Sequence, residues 1–216
     1  MDTTTKEGIE RAINLNLVES GLADIIFTPL LYESSELFNK TPNNKGRMFG
    51  LFRHPIDRAV SLFHYLQKAT WEPTYSERLK KIGSIEDYAI SEFAENNWMI
   101  RHLIDKRTDM LSRRDLNTAK EIVRRKIVVG LVLDVRSAVE RFLTTFGWDY
   151  NALDQEQREC MDAHLSTGGS NQNTHEALEE GSIGWKILRA NNLLDLELYD
   201  YVLQLYEEQG IMLGVQ

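Results

Sequence analysis

Residues 46–65 read Gly-Arg-Met-Phe-Gly-Leu-Phe-Arg-His-Pro-Ile-Asp-Arg-Ala-Val-Ser-Leu-Phe-His-Tyr, an apolar run that ends in Arg53 and passes through His54-Pro55 into a helical pattern. A guanidinium at such a junction can grip phosphate oxygens with two charge-assisted hydrogen bonds, and the free N–H groups of the following helix start favour the same anion. Ser61 stands eight residues after Arg53, beside Arg58, so its hydroxyl falls on the polar stripe of the helix and can turn toward that anion. Arg53 and Ser61 together read as a phosphate clamp. The competing use is structural, with Arg53 paired to a carboxylate and Ser61 a surface serine, and spacing alone leaves both open. Cys160-x-x-x-His164 has no further ligands beside it, so no metal site is expected there.

Such a clamp needs a strand that ends at Arg53 and a helix that begins just after it. Met48–Phe52 is a short apolar run, and Asp57 to Lys68 is helical, with Pro55 favoured at or before its first turn. Ile25–Thr28, closed by Pro29, and Ile127–Leu133 are the other two apolar runs and predict two more buried strands. Helices are expected over Glu7–Val18 with Gly21 as a stop, over Asn96–Ile104 and Asp115–Lys126, from Asp134 to a stop at Gly147, and over Asp195–Gln209 with a stop at Gly210. Ser84-Ile-Glu-Asp is a cap signal, and residues 70–113 carry no strand pattern, as an insertion around a site would. Residues 166–184, rich in Gly, Ser, Asn and Thr, read as a loop. Short apolar strands followed by helices of ten or more residues predict an α/β fold with a parallel sheet between helices. In such sheets ligands bind beyond the carboxyl ends of the strands, which is where Arg53 lies.

The 216 residues, 42% of them hydrophobic and 27% charged, suffice for one substantial core and suggest a single domain over 1–216. The net charge of −8 is unevenly spread: residues 149–216 hold 13 acids and 3 bases, whereas the first two-thirds is slightly basic. Its bases cluster at Lys45/Arg47/Arg53/Arg58, Arg78/Lys80/Lys81, Arg101/Lys106/Arg107 and Arg124/Arg125/Lys126, so an anionic ligand is drawn there. A general nucleic-acid binder would be more basic, and no nucleic-acid partner is expected. No apolar run approaches the roughly 20 residues of a membrane-spanning helix, so the chain is expected to lack a membrane segment. The single cysteine excludes an internal disulfide and leaves the compartment open.

The stretch Arg53-His-Pro-Ile-Asp-Arg-Ala-Val-Ser61-Leu-Phe-His-Tyr65 resembles the 3′-phosphate-binding segment of sulfotransferases that use 3′-phosphoadenosine 5′-phosphosulfate. In that segment an arginine, a proline two residues later and a serine eight residues later precede aromatic residues. Glu95-Asn-Asn-Trp-Met-Ile-Arg-His-Leu103 is similar to the Asn-rich helix near the acceptor site in the carbohydrate and Golgi-type branch, and Asn191–Tyr199 is similar to its C-terminal helix. The resemblance spans about residues 3–209, with only the first motif specific. It implies a P-loop-like three-layer sandwich around a parallel sheet, and transfer of a sulfuryl group from the nucleotide donor to a hydroxyl, on a carbohydrate acceptor, without a metal.

Residue by residue, the resemblance implies that Arg53 and Ser61 hold the 3′-phosphate. Thr4 and Thr5 match the hydroxyl residues at the end of the loop that cradles the 5′-phosphosulfate. Glu33 falls where the family carries a catalytic glutamate or histidine, with His102 the second candidate base, and Asn97 and Arg101 would hold acceptor or nucleotide. The family's first strand and the lysine of that loop have no counterpart, so the chain is expected to be either a fragment or a protein that has lost the cradle. Lys6 is not a clear substitute, and Thr3–Thr5 could equally be a helix N-cap. Relatives are often anchored in the Golgi by an N-terminal segment, which leaves the compartment undetermined. The alternative is a non-catalytic nucleotide-binding or interaction protein that keeps the fold without the cradle.

Overall fold

The computed structural model describes residues 1–38, 46–72, 75–167 and 175–215; Lys45 of the first basic cluster and residues 168–174 of the polar loop lie outside the described residues. In chain order the elements are α1 (Lys6–Asn14), α2 (Leu17–Ser20), α3 (Leu31–Ser35), β1 (Met48–Phe52), α4 (Pro55–Leu66), α5 (Glu77–Lys80), α6 (Ile85–Ile90), α7 (Trp98–Ile104), α8 (Arg113–Lys126), β2 (Ile127–Leu131), α9 (Val135–Phe146), α10 (Gln155–Thr167), α11 (Ile183–Asn191) and α12 (Leu193–Leu213), with 3₁₀ turns at Glu36–Phe38 and Tyr150–Ala152.

The two strands pair in parallel, from Met48 opposite Ile127 to Phe52 opposite Leu131. Side chains alternate across a strand, so each face has its own helices. Phe52, Ile127, Val129 and Leu131 enter a core with Ile100 of α7, Leu116 and Val123 of α8 and Leu198 and Val202 of α12. On the other face the Phe49 ring packs 4.7 Å from Phe142 of α9, and Gly130 gives α9 room: a Cβ there would stand 2.6 Å from the Ala138 Cβ. Helices thus cover both faces of the strands, a mixed α/β arrangement dominated by helix. A second core joins Ile56, Val60 and Phe63 of α4 to Leu79, Tyr88 and Leu188, and a small third one joins Ile9 and Ala12 of α1 to Leu37. No helix among the described residues is long and apolar enough to cross a membrane.

Local signals explain most boundaries. Pro55 occupies the first turn of α4, Ser84 caps α6 by accepting the Asp87 N–H at 3.1 Å, and Ser112 and Asp115 form a reciprocal capping box on α8. Gly147 ends α9 at φ 68, a left-handed conformation that favours glycine.

Four expectations are corrected. Ile25–Thr28 is irregular rather than a strand. The Phe27 carbonyl accepts from the Thr3 hydroxyl at 2.8 Å, Phe27 is 71% exposed, and the segment meets β1 through the Phe27–Phe49 ring contact, not a ladder, while both line one cavity. The first helix breaks at Asn16, whose φ of 52 separates α1 from α2. Residues 155–167 and 183–191 add two helices, which take the first two and the last two residues of the expected loop. Gly210 does not stop α12, which runs on to Leu213; the glycine instead makes room for Arg141, since a Cβ would lie 2.5 Å from its guanidinium nitrogen.

Candidate functional site

Arg53 lies at the carboxyl end of β1, immediately before His54, the N-cap of α4. It lines a cavity of about 840 Å³, large enough for a drug-sized ligand. Phe27, Phe49, Phe146 and Trp148 form much of the apolar wall, and Arg53, Arg58 and His102 are among the cationic and titratable groups. Among the described residues no strand pairs with the outer edge of β1, and residues of that strand line the cavity.

The two arginines of the motif differ in their partners. Arg53 is half-buried and, among the described residues, makes no ion pair or hydrogen bond. Arg58 is fully engaged: its guanidinium grips the Glu95 carboxylate through two nitrogens, one of them at 3.1 Å, and packs over the Trp98 ring, 3.7 Å from its centroid. Burial pulls the Arg58 pKa down to about 10, against the opposing pull of Asp195. A free cation on the wall of a cavity is the group available to an incoming anion, because no internal carboxylate has to be displaced.

His102 stacks on Trp98 with ring centroids 4.8 Å apart and planes 7° from parallel. Burial first, then the neighbouring Arg107 and Arg58, pushes its pKa below the ordinary imidazole value, with Asp105 opposing. These neighbours favour the neutral ring, the form that can accept a proton. Glu33, the other candidate base, makes an ion pair with Lys6 at 2.9 Å. The Lys6 hydrogen bond lowers the carboxyl pKa, and Arg107 adds to the effect. Glu33 and His102 thus share the field of Arg107, but Glu33 does not line the cavity and His102 does.

The remaining sequence candidates sit elsewhere. Ser61 is half-buried on α4, makes no side-chain hydrogen bond among the described residues and does not line the cavity. Thr5 is the N-cap of α1, accepting the Gly8 N–H at 3.1 Å, and the Thr4 hydroxyl donates to the Asp2 carboxylate at 2.6 Å. Asn97 is buried: its carboxamide oxygen accepts the Leu194 and Asp195 N–H groups at 2.9 and 3.0 Å, welding the start of α7 to α12. Arg101 donates to the carbonyls of Asn96, Lys106, Arg107 and Asp109, so it organises the loop after α7.

Sequence reading missed Trp98 and Glu95 as parts of the site. The Trp98–His102 contact was legible in principle, because residues four apart share a helix face. The Arg58–Glu95 pair has no local signature, because 37 residues separate its members. No family model, no curated protein and no solved structure matches the chain.

Proposed function

We propose that the chain is the nucleotide-binding and catalytic part of a sulfotransferase, moving a sulfuryl group from 3′-phosphoadenosine 5′-phosphosulfate to a hydroxyl, on a carbohydrate acceptor. The observation that carries this reading is Arg53: an unpaired guanidinium at a strand end, next to a helix start, on the wall of a cavity that also holds a neutral-leaning imidazole. The sequence motif around it supplies the identity of the anion, a ribose-linked phosphate. His102 takes the acceptor's proton. Glu33, tied to Lys6, is the weaker base. Asn97 and Arg101 act on the acceptor side by shaping α7 and the loop after it. The open outer edge of β1, and the helices on both faces of the sheet, support a P-loop-like three-layer sandwich in which a further parallel strand adds to that edge.

A second reading, a nucleotide-binding protein without transfer activity, is favoured by one observation. The hydroxyls of Thr4 and Thr5 and the amine of Lys6 are all engaged by other residues of the chain, so none of them stands free to cradle the phosphosulfate end. Adenosine 3′,5′-bisphosphate is expected to raise the melting temperature of the protein, and Arg53→Ala to abolish that rise while the variant keeps its own fold. An unchanged rise in the folded variant removes the carrying observation. Sulfate transfer to a sugar acceptor separates the two readings: the rise with transfer supports the enzyme, the rise alone the binding protein.

A further inference from the structure

The three rings and planes of Arg58, Trp98 and His102 form a continuous stack from α4 to the cavity wall. We propose that Trp98 is a positioning residue which, clamped by Arg58, fixes the His102 ring at the cavity so that this imidazole takes the proton of the attacking hydroxyl. This rests on the sulfuryl-transfer reading above.

The clamp is built from outside inward. Glu95 holds the Arg58 guanidinium by two hydrogen bonds, and the two side chains are only 25% and 18% exposed. The guanidinium plane then covers the indole at 3.7 Å from its centroid. A planar cation over an indole is attracted by the negative face of the ring, more strongly where water is excluded. The indole in turn stacks on His102 one helical turn later, nearly parallel. The backbone beneath cannot shift either: the Asp195 carboxylate accepts the Met99 and Ile100 N–H groups at 2.8 and 2.9 Å. Every member of the stack lines the cavity, so the imidazole is presented to a ligand without rearrangement.

The charged groups facing His102 are Arg58 from α4 and Arg107 and Asp105 from the loop after α7. Two cations and one anion around a partly buried ring disfavour the imidazolium. In the step, the acceptor oxygen forms a bond to sulfur as its proton passes to the free ring nitrogen of His102. The bond between sulfur and the donor's bridging phosphate oxygen breaks, and its electron pair leaves with adenosine 3′,5′-bisphosphate. No group changes oxidation state.

The experiment follows the His102 ring resonances by NMR as the pH is varied, in the intact protein and in Trp98→Leu and Trp98→Phe, alongside the pH profile of sulfate transfer. Trp98→Leu removes the plate, and the His102 midpoint is expected to rise toward the ordinary imidazole value. The acidic limb of kcat should move up with it, while the bisphosphate thermal shift stays unchanged. Trp98→Phe keeps a flat ring and is expected to restore most of both. His102→Gln should lower kcat by at least 100-fold with nucleotide binding intact. A His102 midpoint that does not move in folded Trp98→Leu overturns the positioning role, and so does full activity in His102→Gln. The resonance titration needs no substrate, so it stands apart from a failure of the nucleotide to bind, which would overturn the sulfuryl-transfer reading instead.

Discussion

The Gln209 side-chain oxygen of α12 accepts the Val129 N–H at 2.8 Å, while its amide nitrogen donates to the Ile127 carbonyl at 3.0 Å. These are bonds a neighbouring strand would make, so one carboxamide caps the outer edge of β2 over Ile127–Val129. The outer edge of β1 has no such closure among the described residues and faces the cavity. The sheet is therefore open on the side where Arg53 and His102 stand.

Gln209→Leu leaves a part-buried N–H and carbonyl unpaired, which typically costs 1–3 kcal/mol per group once water is excluded. A loss of about 2 kcal/mol in urea unfolding is expected. Gln209→Glu should be nearly as harmful, since it keeps the acceptor and loses the donor to Ile127. A variant within 0.5 kcal/mol of the parent (about the noise of surface substitutions) would mean that the edge is solvated.

Gly130→Ala tests the other face of β2. The added Cβ would lie 2.6 Å from the Ala138 Cβ and 2.9 Å from both Leu51 and Phe142 side-chain carbons. Overpacking of this kind costs about 1–3 kcal/mol, so the midpoint of denaturation should fall. An unchanged midpoint would show that α9 can move off the sheet freely.

Arg53→Gln and Arg58→Gln should separate binding from folding. The first removes an unpaired cation, so stability should be unchanged while retention on immobilised adenosine 3′,5′-bisphosphate is lost. The second strands the mostly buried Glu95 carboxylate and uncovers Trp98, and about 2 kcal/mol of stability should go with it. Equal loss of stability in both variants would contradict the different partners of the two arginines.

Asp195 predicts a pH dependence. It is 2% exposed, and burial raises its pKa to about 6 from 3.8, outweighing the Ile100 and Met99 N–H bonds and the nearby Arg58 and Arg101. The folded carboxyl thus holds its proton more tightly than the unfolded one. Its contribution is complete below pH 3.8 and is lost as the pH rises through 6. The difference is about 3 kcal/mol at most, at 1.36 kcal/mol per pH unit. Asp195→Asn should lower stability, because one N–H of α7 loses its acceptor, yet remove this component of the change between pH 4 and 7. Parallel stability curves for the two proteins would show that Asp195 does not titrate in that window.

Asp115 works with the opposite sign. The Ser112 hydroxyl and N–H, with Lys106, lower its pKa to about 2, so its support for α8 is present above pH 3.8 and fades as the pH falls through 2. In Ser112→Ala the Asp115 carboxyl midpoint, followed by NMR, should move up toward the unfolded value. No movement would mean that the backbone N–H of residue 112 and Lys106 hold the carboxylate without the hydroxyl.

Short-range chemistry made much of this protein readable from its residues alone. The β-branched run at 127–131 and the apolar run at 48–52 could bury both faces only as strands. Pro55, Ser84 and Gly147 set helix boundaries through their own dihedral limits or hydroxyls, and Arg53 had to fall at the strand-to-helix junction between them. What only the tertiary structure decided involves partners far apart in the chain. Ile25–Thr28 has strand-forming residues yet stays irregular, lining the same cavity as the edge of β1 that is unpaired among the described residues. Gly210 looks like a stop and is instead the space that Arg141 fills. Arg58, identical in type to Arg53 and five residues away, is taken by Glu95 and Trp98, so one cation is structural and the other is free. A residue's own preferences bound its backbone, but which charge stays unpaired depends on which carboxylate the fold brings within reach, and no local spacing encodes that.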